Sequence, residues 1–169
     1  MSKIDIIEIT ASDWEKYKCL RLASLKDSPD SFSSSYESEV SISKDEWKSR
    51  ISIAKGLSQV IPLFGCVDGV AVALSWGVKH GPNSKSAHIY QMWVSPYFRG
   101  LGIGKALINK IIYWAKALQL NALCLDVTTT NKEAVQLYKS LGFIPRGEPK
   151  PLKKGSKLVV QPMQLDLTA

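Results

Sequence analysis

Arg99, Gly100, Leu101, Gly102, Ile103 and Gly104 stand behind Val94-Ser95-Pro96 and run straight into an amphipathic pattern. The apolar, β-branched and aromatic run before them, the Ser-Pro punctuation and the glycines predict a strand, a loop and a helix start over residues 87–104. Such a loop presents backbone N–H groups, unshielded by side chains, at the positive end of a helix. An anion is its natural partner, and phosphate is the first to consider. Two familiar phosphate loops do not fit. A Walker loop needs a glycine five residues before its Gly-Lys and a hydroxyl residue after it, and around Gly104-Lys105 those positions hold Arg99 and Ala106. The dinucleotide fingerprint needs a glycine at its sixth position, which, counted from Gly100, is Lys105.

Downstream stands a second constellation, Asn131-x-x-Ala134-x-x-Leu137-Tyr138-x-x-x-Gly142-Phe143. Together with the Arg-x-x-Gly-x-Gly loop, it resembles the paired signatures of the GNAT superfamily of N-acetyltransferases. The two motifs cover residues 87–143, in the family's order, with a helix and a strand between them. The resemblance implies acetyl-CoA as cosubstrate. Backbone groups of Met92, Trp93 and Val94 would pair with the pantetheine arm like an extra strand. The N–H groups of residues 100–105 would hold the pyrophosphate, with Arg99 leading the loop and Lys105 helping to neutralise charge. Asn131 would contact the cofactor arm, and the Tyr138 hydroxyl would point at the thioester sulfur. Lys139 fits a surface lysine better than a phosphate ligand.

Acyl transfer to an amine asks for the same parts. At pH 7, removing the proton from an amine of pKa ~10.4 costs ~4.6 kcal/mol, so a base or proton path is needed. The oxyanion that develops needs an N–H donor, for which Val94 is the candidate. The departing thiolate needs an acid; with a cysteine-like thiol as stand-in, donation by Tyr138 is uphill by ~2 kcal/mol. Tyr138 is therefore a candidate acid, its other role being an aromatic packing face. The base is open. Family members with a strand carboxylate carry it on the face that strict alternation from Val94 assigns here to Met92, Tyr90 and His88, and no carboxylate stands there. His88 titrates in the useful range; Tyr90, Asp126 and a water relay are the alternatives. No cysteine lies inside either motif to serve as a nucleophile.

These groups need elements to position them. Residues 4–9 predict a strand, after which Thr10 or Ser12 caps a helix bearing Trp14, Tyr17, Leu20, Leu22 and Leu25, stopped by Ser28-Pro29-Asp30. Residues 32–36 predict a serine-rich turn. A helix from residue 43 or 44 to 54 carries Trp47, Ile51 and Ala54, with Gly56 ending it. In the resembled family this segment usually shapes the acceptor pocket, so Phe32, Tyr36 and Trp47 are candidates for substrate contact as well as for the core. Strands 59–67 and 70–78 flank Asp68-Gly69, a type I′ turn pair. A loop over 79–86 leads into strand 87–94, then come helix 103–118 and strand 123–127. Helix 132–141 opens on a Thr130–Glu133 capping box and closes at Gly142, and strand 158–167 ends the chain.

The chain of 169 residues, 45 % hydrophobic and 22 % charged, predicts one domain over residues 1–169. No leader-like apolar segment opens it and no window approaches ~18 apolar residues, so a cytoplasmic location is the default and no membrane partner is expected. Cys19, Cys66 and Cys124 lack metal-like spacing and read as small core residues; no metal is expected. Charge is uneven: nine Lys/Arg against ten Asp/Glu in residues 1–60, and thirteen against five in residues 61–169. The basic part contains the glycine loop, which suits a polyanionic cofactor. The scattered cations do not interleave with aromatics as a nucleic-acid platform would require. The expected fold is mixed α/β (α+β) and GNAT-like: a largely antiparallel twisted sheet flanked by helices, strands 87–94 and 123–127 running parallel and splaying to admit the cofactor. The expected reaction is direct acetyl transfer to a primary amine, of a small molecule or a protein, in a ternary complex. A non-catalytic acyl-CoA-binding module is the alternative, and a homodimer is common among similar proteins.

Overall fold

The computed structural model describes residues 1–57 and 59–168, with backbone alone for residues 53–57. Strand β1 (Ile4–Glu8) leads through a 3-10 turn into α1 (Trp14–Asp27). The Asp13 carboxylate accepts from the Thr10 N–H at 2.8 Å at this entry, and α1 stops before Ser28-Pro29 as the sequence predicts. A short helix that the sequence reading does not include, α2 (Tyr36–Val40), begins at the last residue of the predicted serine-rich turn; the Ser35 hydroxyl accepts from the Ser38 N–H at its start. Helix α3 (Lys44–Leu57) continues through Gly56, the predicted stop, because a glycine in a helix interior costs only ~1 kcal/mol. Ala54, expected on its apolar stripe, lies outside the described side chains.

Next come β2 (Gln59–Val67), β3 (Val70–Lys79), β4 (Ser86–Val94), α4 (Ile103–Ala117), β5 (Ala122–Thr128) and α5 (Lys132–Ser140). Then follow β6 (Ile144–Pro145), β7 (Lys150–Pro151) and β8 (Val159–Asp166). β6 and β7 have two residues each, too short for periodicity to show them. Asp68 and Gly69 have φ of 48° and 85°, the positive pair that a type I′ turn demands. Among the described residues the strands form one sheet in the order β1-β2-β3-β4-β5-β8-β6, with β7 also on β8; β4 and β5 are parallel, and the other pairs are antiparallel. This is the mixed α/β architecture expected from the sequence.

Helices cover both faces. Against one face lies α4, burying Ile103, Leu107, Ile108, Ile111 and Ala115, with Tyr138 of α5 in the same core. Each large side chain there contributes about 1.5–3 kcal/mol. Gly65 and Gly77 let α4 approach closely: a Cβ would come within 2.6 Å of Ile103 and 2.9 Å of Ile111, respectively. The other face is covered by α1 and α3, where Tyr17 packs edge-on against Trp47 and beside Trp76. Trp47 is wholly buried in that core. Of the cysteines, Cys66 is buried, Cys124 half-buried and Cys19 exposed. The last departs from expectation because it lies on the outward side of α1. Among the described residues, no helix is long and apolar enough to cross a membrane, and no cluster of His, Cys, Asp and Glu could hold a metal ion.

Candidate active site

The ladder between β4 and β5 ends at His88–Cys124. Residues 89–94 and 125–128 then diverge, and between them opens a cleft of about 950 Å³. It reaches from His88, Tyr90 and Asp126 past Met92, Trp93 and Val94 to the loop before α4, with Asn131 and Tyr138 on the far wall. Every residue expected to bind the cofactor or take part in catalysis lines this cleft except Leu101, whose side chain is exposed outside it; of the candidates for substrate contact only Phe32 does.

The loop has the geometry of an anion cradle. Gly100 and Gly102 have φ of +80° and +86°, and a Cβ on either would meet nothing within 4 Å. Gly102 caps α4 without a side-chain hydrogen bond. The first helical bond runs from the Ala106 N–H to the Gly102 carbonyl at 3.0 Å, so the N–H groups of Ile103, Gly104 and Lys105 have no acceptor within the helix. Such open, same-directed donors at a helix start fit a pyrophosphate. Arg99 is occupied otherwise. Its Nε donates to the Val94 carbonyl and its Nη2 to Asp27, both at 2.8 Å. Asp27 also accepts from the Trp93 indole at 3.0 Å. Against the cost of partial burial, hydrogen bonds from Trp93, Ser28 and Arg99 hold the Asp27 carboxyl below its usual range. Arg99 thus ties the loop to the end of β4 and, through Asp27, to α1. Sequence reasoning missed Asp27, because no local pattern links residues so far apart.

On the opposite wall Asn131, not Thr130, caps α5: its Oδ1 accepts from the Ala134 N–H at 3.2 Å. Thr130 belongs to the preceding turn, where its carbonyl accepts from the Lys132 N–H. With Oδ1 engaged, the Asn131 amide NH2 is the part of the side chain left for the cleft. Tyr138 is 6 % exposed and packs edge-on against Phe143; burial pushes its phenol far up, so it stays protonated at any ordinary pH.

β4 does not alternate as the sequence predicts. Leu74 pairs with Trp93 and Trp76 with Tyr90, so Gln91 and Met92 together oppose Ser75. Gln91 takes φ of +55° at this bulge, and its side chain accepts from the Tyr17 hydroxyl at 2.8 Å. The extra residue turns the strand over. Met92 and Val94 pack with the α4 core, whereas Tyr90 and His88, in register with Trp76 and Val78, face the α1 side. The expected shared face of Val94, Met92, Tyr90 and His88 is thereby corrected. Trp93 also faces α1, against Leu25 and Phe32. Phe32 lines the cleft; Tyr36 packs beside it, and Trp47 does not line the cleft.

His80, just beyond β3, joins His88 and Tyr90. The three rings lie 5.8–6.0 Å apart, and His80 Nε2 is 2.9 Å from the Tyr90 hydroxyl. Both histidines of the chain are therefore here. Half-burial and the neighbouring His80 lower the His88 pKa, with Asp126 opposing and Lys150 assisting. Asp126 pairs with Lys150 at 3.3 Å. Burial, then Asp126 and Cys124, raise Tyr90. The signal for His80 was the hairpin register: extending Val78–His88 by two residues along β3 keeps the same face.

The model of the acetyltransferase (GNAT) family matches residues 22–143. An uncharacterized N-acetyltransferase of Methanocaldococcus jannaschii is 42 % identical over 74 residues, which are 44 % of this chain and 32 % of that relative's length. Among solved structures, a GNAT-family acetyltransferase from Streptococcus pneumoniae has a TM-score of 0.79 at 20 % identity, covering 96 % of this chain and 98 % of its own. The spermidine N-acetyltransferase of Vibrio cholerae, solved with CoA and spermine, has a TM-score of 0.77 at 18 % identity, with coverage of 98 % and 96 %. At these identities the structural likeness is one of fold.

Proposed function

Because the chain belongs to the acetyltransferase (GNAT) family, we propose that it transfers an acetyl group from acetyl-CoA directly to a primary amine, with both bound together in the cleft between β4 and β5. One observation carries this: a single cleft joins an uncapped helix N-terminus, a strand edge released from its neighbour and a buried phenol. The N–H groups of residues 100–105 take the pyrophosphate, and Lys105 adds a positive charge. The backbone of Met92, Trp93 and Val94 receives the pantetheine arm; the Asn131 amide contacts the arm from the other wall. The Val94 N–H is the donor placed for the developing oxyanion.

Tyr138 acts on the leaving sulfur. Burial raises its pKa, which makes complete proton transfer to a thiolate harder than the ~2 kcal/mol of the unperturbed pair. The same burial penalises the thiolate, so a hydrogen bond from the Tyr138 hydroxyl gains strength as charge builds on sulfur. At the other end His88, neutral at pH 7 because its pKa is lowered, accepts the amine's proton. Beside it, Tyr90 and the exposed His80 lead toward solvent. Thiol release from acetyl-CoA across a panel of amines tests the reading. Tight CoA binding with no turnover of any amine would refute catalysis and leave an acyl-CoA-binding module.

A further inference from the structure

Helices α1, α2 and α3 converge on one buried carboxylate. Arg21 Nε and Nη2 donate to Glu39 at 3.2 and 2.9 Å, and Arg50 Nη1 donates to it at 2.8 Å. Against burial, these bonds and charges hold the Glu39 carboxyl below its usual range, so it stays ionised. Two cations share one anion, and the buried cluster keeps an excess positive charge. The Arg21 guanidinium is fixed by Glu39 on one edge and by the ring face of Phe32, 5.0 Å from the ring centre. Arg21 is 4 % exposed, and its Nη1 is buried with no hydrogen-bond partner among the described residues. A charged donor left unpaired out of water is costly, and an incoming acceptor removes that cost.

The cluster borders the cleft. Arg21, Ser34 and Gln91 line both the main cleft and an adjoining chamber of about 280 Å³, whose other walls are Tyr17, Arg50, Trp76 and Glu39, the one carboxylate against two guanidinium groups. Burial raises the Tyr17 phenol, so it supplies no negative charge there. The chamber walls include Gln91, at the β4 bulge, and Trp76, which is in register with Tyr90.

We propose that this chamber holds a carboxylate of the acceptor, so that the amine acetylated belongs to a molecule of amino-acid type. The inference rests on the acetyl-transfer reading and deepens it. A carboxylate brings two acceptor oxygens, suited to the guanidinium groups of Arg21 and Arg50 that line the chamber, and cancels the charge Glu39 leaves uncompensated. A neutral tail leaves that charge uncompensated, and a second ammonium is repelled by it.

The test uses paired acceptors that differ only in the carboxylate: lysine with 1,5-diaminopentane, and phenylalanine with 2-phenylethylamine. Thiol release at saturating acetyl-CoA is expected to give the carboxylate-bearing member a kcat/KM about 10- to 100-fold higher in at least one pair. In Arg21→Lys, whose ammonium cannot serve Glu39 and a ligand in the same geometry, that ratio falls toward one. Both members are measured on one preparation, so the ratio does not depend on how much of the variant folds. On the unaltered protein, carboxylates lacking the amine, hexanoate and 3-phenylpropanoate, are expected to compete with the acceptor and not with acetyl-CoA. Equal or faster turnover of the carboxylate-free amines, or carboxylates that do not compete, overturns the proposal and leaves acetyl transfer standing. No turnover of any amine overturns acetyl transfer itself, and the acceptor assignment with it.

Discussion

Replacing Gly102 by alanine separates phosphate binding from stability. Gly102 has φ of +86° and nothing within 4 Å of an added Cβ. In the free protein the substitution costs only the strain of an L-residue in the left-handed region, about 1–2 kcal/mol. Gly69 in the β2–β3 turn is a matched control, with φ of +85° and equally open surroundings. Gly69→Ala carries the same strain and does not line the cleft. With domain stabilities of about 5–15 kcal/mol, both variants stay folded. CoA binding should distinguish them. Under the proposed loop assignment, a methyl group at Gly102 stands where the phosphate would approach the N–H groups of Ile103 to Lys105. Losing two charge-assisted hydrogen bonds at about 1.5–3 kcal/mol each weakens CoA about 10²- to 10⁴-fold. Urea unfolding measures the strain, and calorimetric titration with CoA measures the affinity. Gly102→Ala binding CoA within about threefold of the parent, a difference under 0.7 kcal/mol, would refute the loop assignment. So would an equal loss in Gly69→Ala.

Tyr138→Phe is expected to lower kcat about 10- to 100-fold while leaving CoA affinity nearly intact, because the proposed mechanism engages its hydroxyl as the sulfur departs; an unchanged kcat would remove it from the chemistry. The lowered His88 pKa predicts an acid limb in kcat/KM that turns below ~6.5, and His88→Gln should abolish that limb. The stability sign follows from the same shift: the unfolded histidine binds its proton first as pH falls, so folding stability drops as pH descends from ~6.5 toward the folded value, and pH-dependent urea titrations of parent and His88→Gln should differ there. Asp27→Ala leaves the Trp93 indole and the Arg99 guanidinium without their acceptor and should cost about 1–3 kcal/mol in urea unfolding. Because the folded Asp27 pKa is lowered, the parent's advantage is present above ~3.9 and shrinks as pH falls below it; an advantage that grows in acid would contradict the assignment.

What the sequence displayed was whatever local spacing encodes. The glycine loop, the Asp68-Gly69 turn, the apolar stripe of α4 and the end of α5 at Gly142 each depend on residues a few positions apart, and the structure has all four. Contacts between distant segments were not legible. Asp27 meets Arg99 and Trp93 across most of the chain, and Arg21 meets Glu39 and Arg50 only because three helices converge. Side-chain chemistry of the candidate base was half legible. His88 stood out by type, but its partner His80 becomes visible only through the antiparallel register of β3 and β4. The Thr130–Glu133 spacing illustrates the opposite failure, a correct local pattern displaced by Asn131, which reaches the Ala134 N–H from one residue further on.

The bulge at Gln91 changes the parity of the core-facing positions along β4. Ala87 and Ile89 occupy odd positions and Met92 and Val94 even ones, yet all four contribute to the α4 core. Strict alternation would instead have turned His88 and Tyr90 into that core and excluded Ala87 and Ile89. Burying an imidazole and a phenol among Leu107, Ile108 and Ile111 without partners would cost several kcal/mol; inserting one residue at φ of +55° costs about 1–2 kcal/mol, offset in part by the Tyr17 hydrogen bond to Gln91. The energetic preference therefore places the bulge, and its position sets the division of the strand. Beyond Gln91, Met92, Trp93 and Val94 line the cleft on the way to the glycine loop, the side proposed for the acetyl donor. Before Gln91, it turns His88 and Tyr90 toward α1. Gln91 itself lines both the cleft and the arginine chamber. Under the proposed reading one strand thus serves two ligands from opposite faces, and the point where they meet is where the amine and the thioester would react.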